Sequence, residues 1–473
     1  MPTTHQTKEV KKATRHELTI IGVVLAGAFL AILNQTVMGP ALPKLMDTFA
    51  ISAASAQWVT TIYMLVNGIM IPVSGFLIDK YSTRKLFFGS MLAFIAGTVL
   101  CAMAPNFGFL LAGRILQAAG AGIQMPLIAV VPMLVFPPEK RGTAMGMAGI
   151  VMSVAPAAGP VVAGAIIDAL GWRAMFWCIA PVALIVLIAS FFLLGNIGTL
   201  KNPKLDFLSV ILSTVAFGGL LYGFSSASTF GWTSPIVWGV IILGAAALAW
   251  FVMRQKKLTE PLLNIRALKS HTFAWSAILV TIVNSATAVT SVTLPIYLQN
   301  VLGISAMETG MVMLPAAAVG ILLSPISGVV FDKYGPRGIS IAGLVIMVAG
   351  FGLLSQINES SSVVWVAVFC TMQATGQCLC NMPITTWGVN ALENDMIAHG
   401  NAITNTGRQV GGAISTAIIV TIMSTVAASQ ASLGPVVSMA HGVGVAYGVS
   451  GIVAAIALII VIVKVRNPQK GEY

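Results

Sequence analysis

The sequence predicts an all-α membrane protein with about 14 transmembrane helices and both termini in the cytoplasm. Hydrophobic residues make up 57% of the 473-residue chain, and charged residues only 8%. Apolar runs of roughly 20 residues, the length that crosses a ~30 Å hydrocarbon layer, recur along it. Nearly all Lys and Arg residues fall in the tails and in alternate loops, and the opposite loops hold only Lys44 and Arg173. This bias predicts an even number of spans.

An internal repeat indicates that the chain contains two related halves. The stretch "IPVSGFLIDKYSTRK" (71–85) matches a later one, "LSPISGVVFDKYGPRG". The identities share one offset of 253 positions, and they pair Pro72, Ser74, Gly75, Asp79, Lys80, Tyr81 and Arg84 with Pro325, Ser327, Gly328, Asp332, Lys333, Tyr334 and Arg337. Such duplication is typical of secondary transporters.

The repeat also predicts two inserted helices. Six helices with short loops need about 190 to 200 residues, so the observed offset leaves room for two more spans. We therefore predict a basic leader (1–17), a six-helix bundle (18–198), two inserted helices with their loops (199–260), a second six-helix bundle (261–465) and a tail (466–473).

Three motifs carry a resemblance to a known family. The stretches are "GFLIDKYSTRK" (75–85), "LAGRILQAAGAG" (111–122) and "APAAGPVVAGAI" (155–166). Together they resemble the loop, fourth-span and antiporter motifs of the major facilitator superfamily, and within it of the fourteen-span drug:proton antiporter family. "LNQTV" (33–37) and "HGNAITNTGRQ" (399–409) are similar to its multidrug branch with lincomycin-type efflux proteins. The resemblance implies two six-helix bundles related by a pseudo-two-fold axis, plus two extra helices.

Charged and small residues at the predicted cytoplasmic face suggest a gate. Asp79 and Arg84 lie where a helix ends, and they can bridge to each other or to Arg141; Asp332 and Arg337 repeat the arrangement. Alternatively, these charged residues only mark a turn and anchor it on the cytoplasmic side of the membrane. One predicted helix also carries two glycines and a proline close together, namely Gly159, Pro160 and Gly164. They predict a sliding contact between the halves, and a static packing seam is the alternative.

Embedded polar residues predict a substrate cavity. Arg114 lies roughly 10 Å from the outer end of its span, where a charge is costly unless it faces a polar interior. The aligned position in the second half is Cys370, so we expect Arg114 to serve coupling or substrate binding. Other cavity candidates are Asn34, Gln35, Tyr63, Asn67, Gln117, Gln124, Asn284, Gln299, Asn381 and Arg408. Helix–helix hydrogen bonds are the alternative for the neutral residues, and snorkelling is the alternative for Arg408.

All 14 acidic residues avoid the centre of the predicted spans. Exporters of lipophilic cations resemble one another in holding a buried carboxylate, often in the first span, and Asn34 occupies that position here. An amide offers a donor and an acceptor but does not titrate. We therefore expect neutral or zwitterionic substrates to be favoured over permanent cations. A proton could bind instead at Asp79, Asp168 or Glu308, or act at Arg114 through a water.

The resemblance predicts a cell-membrane exporter of small amphipathic drugs or antibiotics that exchanges them for protons and acts as a monomer. The alternatives are a transporter of an endogenous lipid or fatty acid, and a non-transporting membrane sensor. No cofactor or metal is expected, and no enzyme activity, because no cluster of a nucleophile, a base and an orienting residue is evident. The chain lacks a Gly-rich Lys-Ser/Thr loop, so ATP is not expected as its energy source. The placement of its basic residues argues against nucleic acid.

Overall fold

The structure, a computed structural model, describes residues 15–51, 53–136, 140–195, 206–259 and 261–467. Regular secondary structure in this part of the chain is entirely helical. The predicted leader up to residue 14, the loop 196–205 and the end of the tail from residue 468 lie outside the described residues.

The first half consists of seven helices, six of them long. They are α1 (Arg15–Thr36), the short α2 (Leu42–Phe49), α3 (Ala53–Lys80), α4 (Thr83–Ala102), α5 (Phe107–Val135), α6 (Arg141–Leu170) and α7 (Trp172–Leu193). Their buried faces share one hydrophobic core, in which Phe87, Phe94 and Phe176 are fully buried. Ser82 and Asn106 cap α4 and α5 with their side chains, which fixes where these helices begin.

Two inserted helices follow, α8 (Phe207–Phe230) and α9 (Pro235–Lys257). Gly219 and Gly244 let their backbones approach closely. Where α8 begins, Asp206 accepts two hydrogen bonds from Arg254, of 2.6 and 2.9 Å. These hydrogen bonds lower the pKa of Asp206 to about 2. The pair ties the start of α8 to the end of α9.

The inserted hairpin packs against α3 and against one helix of the second half. Leu212 and Phe251 of the hairpin share a small core with Phe76 of α3 and with Ala402 of the second half. Nearer the opposite end, Tyr222 of α8 stacks on Trp58 of α3 with ring centroids 5.6 Å apart. The hairpin therefore lies over a seam between the two halves.

The second half again has seven helices, one of them short. They are α10 (His271–Ala288), the short α11 (Thr290–Ile296) with a π-helical turn (Tyr297–Val301), α12 (Ala306–Tyr334), α13 (Pro336–Leu354), α14 (Val363–Asn390), α15 (Ile397–Ser429) and α16 (Pro435–Lys464). A second large core joins them, around the fully buried Tyr297, Phe351 and Tyr447. The first core also includes Phe273, Met382 and Ile397 of this half, so the division into two bundles stays a prediction.

Twelve helical segments of the described residues are long and apolar enough to span a membrane, or 13 when the bent α3 is counted as one span. Helix α3 bends by 51° between its segments Trp58–Met70 and Val73–Lys80. The structure thus shows a multi-pass helical protein, and the count of 14 spans stays a prediction.

One end of the bundle, here called the basic end, collects Lys80, Lys140, Lys257, Lys333 and Lys464 at helix termini. The charge bias predicts that this end faces the cytoplasm.

Candidate functional site

The Arg114 cluster, made of Asn34, Tyr63, Arg114 and Gln117, lies inside the first half. All four side chains are completely buried. Arg114 Nη1 donates to Asn34 Oδ1 at 2.5 Å and to Gln117 Oε1 at 2.8 Å, and its Nε donates to the Val59 carbonyl at 3.2 Å. Helices α1, α3 and α5 thus meet at one guanidinium.

The neighbours of Arg114 are themselves fixed by further bonds. Its guanidinium carbon lies 4.1 Å from the centre of the Tyr63 ring, a cation–π contact. The Tyr63 hydroxyl donates to the Ala31 carbonyl at 2.9 Å, and Gln117 Nε2 donates to Thr98 Oγ1 at 2.8 Å. Four helices therefore hold the cluster rigidly, which is what a binding or coupling site needs.

Several buried polar atoms near this cluster have no hydrogen-bond partner. They include Arg114 Nη2 and Asn34 Nδ2, which belong to directly bonded residues. Both amide atoms of Asn67, one helical turn beyond Tyr63, are also unpaired. Such atoms are rare in protein interiors and indicate places where water or a ligand binds.

Four further residues that were predicted to line the cavity also lie outside this cluster. Gln124 is buried, but its nearest polar partner is the Met91 sulfur at 3.9 Å. Asn284 donates to the Val280 carbonyl of its own helix at 2.8 Å. Gln35 is only partly buried, and Gln299 is exposed on the π-helical turn. The cavity role of these four residues stays a prediction. For Asn284, the hydrogen bond to Val280 supports a role within its own helix.

A second polar group, the Arg408 cluster, lies in the other half and joins α14 to α15. Arg408 Nη2 donates to Asn381 Oδ1 at 3.0 Å and to Thr385 Oγ1 at 2.9 Å. Its Nε is buried without a partner. These bonds point Arg408 into the bundle, so it does not snorkel outward. Sequence reasoning missed Thr385, which stands four residues after Asn381 on the same helix face.

At the basic end, α12 caps a helix of the other half. Asp332 accepts hydrogen bonds from the backbone N–H groups of Gly142 and Thr143, both at 2.9 Å, and from Thr143 Oγ1 at 2.6 Å. The side chain of Lys140, which precedes α6, makes no capping bond. A carboxylate suits this place because the first turn of a helix has free N–H groups and a partial positive charge. We call this contact the α6 clasp.

The repeated contact joins Asp79 to the first turn of α15. His399 Nε2 lies 3.1 Å from Asp79 Oδ2. We call this contact the α15 clasp. Sequence reasoning missed His399, although the segment "HGNAITNTG" (399–407) aligns with "RGTAMGMAG" (141–149), which places His399 where Arg141 stands in the first half.

The arginines that were expected to bridge to these aspartates bond elsewhere. Arg84 donates to the Phe191 carbonyl at 2.6 Å and lies over the Phe191 ring, and Arg337 donates to the Ile462 carbonyl at 3.2 Å. Each thus anchors its loop to the last helix of its own half, as the anchoring alternative expects. In this conformation His399, Gly142 and Thr143, which are described partners of the two aspartates, come from the opposite half.

Arg141 also crosses between the halves. Its Nη2 donates to Asn394 Oδ1 at 3.0 Å and its Nη1 to Asn390 Oδ1 at 3.4 Å, and its Nε donates to the Met133 carbonyl at 3.0 Å. Asn390 and Asn394 belong to the connection between α14 and α15. Among the described residues, three polar contacts therefore link the halves at the basic end.

Glycines bring α6 and α12 together beside the α6 clasp. A Cβ on Gly142 or Gly328 would collide with the backbone of the other, and one on Gly146 would lie 2.6 Å from the Ser324 carbonyl oxygen. Gly159 instead approaches Thr36 of α1, and Gly164 has open space around it. The side chain of Pro160 lies outside the described residues. The contact between the halves thus depends on the glycines at the start of α6.

The remaining acidic candidates are placed as follows. Glu308 is exposed and accepts a hydrogen bond of 2.8 Å from the backbone N–H of Ser305, at the end of α12 that lies opposite the basic end. The side chain of Asp168 lies outside the described residues. Across the described residues, no group of three or more His, Cys, Asp or Glu side chains is arranged to hold a metal ion.

Comparisons with known proteins identify the family. The family model of the Major Facilitator Superfamily matches residues 24–207 and 207–416. The chain is 44% identical to the uncharacterized MFS-type transporter YcnB of Bacillus subtilis, over 95% of each chain. It is 38% identical to the lincomycin resistance protein LmrB of Listeria monocytogenes, over 86% of each.

A solved structure with the same fold agrees with this match. The crystal structure of the human organic anion transporter MFSD10 superimposes with a TM-score of 0.64 at 14% identity, and covers 93% of this chain and 99% of that one. The chain described here therefore belongs to the Major Facilitator Superfamily, as a multi-pass membrane transporter.

Proposed function

We propose that this protein exports amphipathic drugs or antibiotics across the cell membrane by alternating access, as a monomer with 14 spans and both termini in the cytoplasm. The likeness to a lincomycin resistance protein supports drug export. The observation that carries the proposal is the set of polar contacts that join the halves at the basic end. These contacts must break for the cytoplasmic side to open, so they bias the equilibrium between the two states.

The predicted domain boundaries fit this mechanism. The bundles 18–198 and 261–465 would rock against each other, with Gly142 and Gly328 at the contact between them. Residues 199–260 would form the inserted pair over the seam between α3 and α15. The substrate would bind between the bundles, near the Arg114 and Arg408 clusters.

Protons are the proposed coupling ion. The sequence has no nucleotide-binding loop, so an ion gradient is the expected energy source. Asp79 and Asp332 are the candidate proton acceptors, because each would lose its partner from the other half when the basic end opens. A carboxylate that gains and loses hydrogen-bond donors binds its proton more tightly in the state without them.

The charge of the site favours neutral and zwitterionic substrates over permanent cations. Every described acceptor that Arg114 bonds is neutral, so the cluster holds one buried positive charge. A permanent cation beside it would be repelled across a medium of low dielectric constant.

A liposome assay tests the proposal. The purified protein is reconstituted, a pH gradient is imposed, and the movement of lincomycin and of a monovalent cationic dye is followed. We expect gradient-driven transport of lincomycin that is lost with an uncoupler, and slower transport of the dye. Equal transport of the dye would contradict the charge argument, and transport that ignores the gradient would contradict proton coupling.

Transport of an endogenous lipid or fatty acid is the second candidate function. The buried arginine with neutral neighbours favours it, because such a site suits an anionic headgroup. The same liposome assay is run in parallel with a labelled fatty acid and with a labelled phospholipid. Movement of either lipid with none of lincomycin would select this second function.

A further inference from the structure

Within the part of the chain that the structure describes, no acidic side chain pairs with Arg114 to balance the charge of the Arg114 cluster. Arg114 is completely buried, and its hydrogen bonds go to Asn34, Gln117 and the Val59 carbonyl, which are all neutral. Its other close neighbour is the face of the Tyr63 ring, whose hydroxyl bonds the Ala31 carbonyl. An uncompensated cation inside a membrane protein is costly, so such residues face a partner of opposite charge or a polar cavity.

Two unpaired donors belong to residues that are hydrogen bonded to each other, Arg114 and Asn34. Arg114 uses Nε and Nη1, and only Nη2 lacks an acceptor. Asn34 uses its Oδ1 toward Arg114 and leaves Nδ2 without an acceptor. Because Oδ1 bonds Nη1, the unpaired Nδ2 and the unpaired Nη2 are each attached to the same carbon as one atom of that hydrogen bond, and we call these two donors the donor edge. Two N–H donors on bonded residues, one of them charged, suit the two oxygens of a carboxylate.

The rest of the cluster fixes the orientation of this edge. The Tyr63 ring covers one face of the guanidinium, and Gln117 holds the Nη1 side at 2.8 Å. Gln117 is itself held by Thr98. Donors that are fixed before a ligand arrives bind it with little loss of conformational entropy.

We propose that Arg114 Nη2 and Asn34 Nδ2 together bind an anionic oxygen group, a carboxylate, of the transported amphiphile. The proposal rests on the transport function above and adds acidic and zwitterionic amphiphiles to the neutral drugs among its substrates, with their apolar part toward the apolar walls of the bundle. The positive charge that excludes permanent cations is then the charge that selects the substrate's acidic group.

A direct binding measurement tests this subsite without any transport step. The protein in lipid nanodiscs is titrated with three probes that share one tail, namely 4-phenylbutyrate, 4-phenylbutanol and 4-phenylbutylamine, and separately with sodium chloride at matched ionic strength. The readout is the rise in unfolding temperature, which reports binding to the folded state. We expect the carboxylate to bind at least about tenfold more tightly than the alcohol, as a charge-assisted hydrogen bond implies. The amine should give no rise.

The variant Asn34→Asp gives two readouts of opposite sign. An aspartate here supplies the missing negative charge from within the protein, so the unliganded variant should melt at a higher temperature than the wild type. The same aspartate should weaken carboxylate binding at least about tenfold, because it occupies the donors. The matched control is Arg173→Gln, an arginine at the outer end that donates to the Ala104 carbonyl, which should bind the carboxylate like the wild type.

Other results overturn the proposal. Equal binding of the alcohol and the carboxylate, or unchanged carboxylate binding in Asn34→Asp, would show that the edge does not take an anion. A shift with chloride but none with the carboxylate would assign the edge to a small inorganic ion. Failure of the transport function has a different signature, since the carboxylate would still bind while no probe moves in liposomes.

Discussion

At the residue scale, the hydrogen bond from Arg114 Nη1 to Asn34 Oδ1 sets the charge and the free donors of the Arg114 cluster. It uses the only acceptor of the amide and leaves its donor free. A carboxylate at position 34 would cancel the charge of Arg114, and an aliphatic residue would leave Nη1 with fewer acceptors. The amide therefore keeps the arginine in place and preserves its positive charge.

Two substitutions at Tyr63 separate its hydroxyl from its ring. Tyr63→Phe removes only the bond to the Ala31 carbonyl, so we expect a loss of about 1 kcal/mol in stability and transport within about twofold of the wild type. Tyr63→Leu also removes the ring under Arg114 and should lower transport at least about tenfold, because the guanidinium loses a further contact of about 2 kcal/mol when desolvated. Melting curves and lincomycin transport provide the measurements. Equal transport by the two variants would contradict a role for the ring.

Residue type identified the four members of the Arg114 cluster as candidates, but it could not tell them from polar residues that lie elsewhere. Asn34, Tyr63, Arg114 and Gln117 were expected in a cavity, and the structure brings these four into contact. Gln299 shows the limit, because it lies exposed at a helix end although it is polar in an apolar run. A polar letter in an apolar stretch does not reveal which side of its helix faces the protein interior, since that depends on the neighbouring helices.

At the scale of helices, α6 and α12 are in backbone contact at the basic end. Glycine is required at Gly142 and Gly328, where even a methyl group would collide with the opposite backbone. The motif residue Gly164, in contrast, has open space in this conformation. The motif therefore identified the helix that makes the contact, and the structure locates the contact nearer to the start of that helix.

The substitution Gly328→Ala should open the basic end. Its methyl group would collide with the Gly142 carbonyl, so α6 and α12 must separate and the state closed at this end loses stability. Spin labels at residues 85 and 333 on a cysteine-free background would report a longer mean distance. Gly338→Ala is the matched control, because nothing lies within 4 Å of its added atom. An unchanged distance in Gly328→Ala would show that the contact does not set the closed state.

The ion pair of the inserted hairpin predicts a pH-dependent contribution to stability. The pKa of Asp206 is lowered from 3.8 to about 2 by Arg254, so the pair stabilises the folded state above about pH 4 and this stabilisation is lost as the pH falls through about 2. We expect Arg254→Gln to melt at a lower temperature than the wild type at pH 7 and at pH 5. The difference should shrink between pH 4 and pH 2. A difference that stays constant over this range would exclude the ion pair as its cause.

For the whole molecule, the two halves meet at the basic end through equivalent elements. The end of α3 contacts the start of α15, and the end of α12 contacts the start of α6. The repeat at an offset of 253 predicted the related aspartates but not their partners. Those partners come from the opposite half, and contacts between halves leave no signature in the spacing of one sequence.

A double-mutant cycle at the α15 clasp tests its part in closing the protein. The variants are Asp79→Asn, His399→Ala and the two combined, and the measurement is the spin-label distance at the basic end. We expect each single change to favour the open state, and the double change to cost less than their sum by 0.5 to 3 kcal/mol, roughly the range for residues in contact. Strictly additive effects would mean that the two side chains do not stabilise the closed state together. Lys269→Ala, an exposed change near α10, serves as the control.

The two clasps differ in how readily mutation can alter them. In the α6 clasp, two of the three donors are backbone N–H groups, which every residue except proline supplies. In the α15 clasp, the group facing Asp79 is the imidazole of His399, and most substitutions would remove it. Genetic drift at position 143 therefore keeps the two backbone bonds of the α6 clasp and can remove only the bond from the Thr143 hydroxyl, while position 142 is limited by the space that Gly142 requires. Evolution would therefore adjust the balance between the inward-open and outward-open states mainly by changing residue 399.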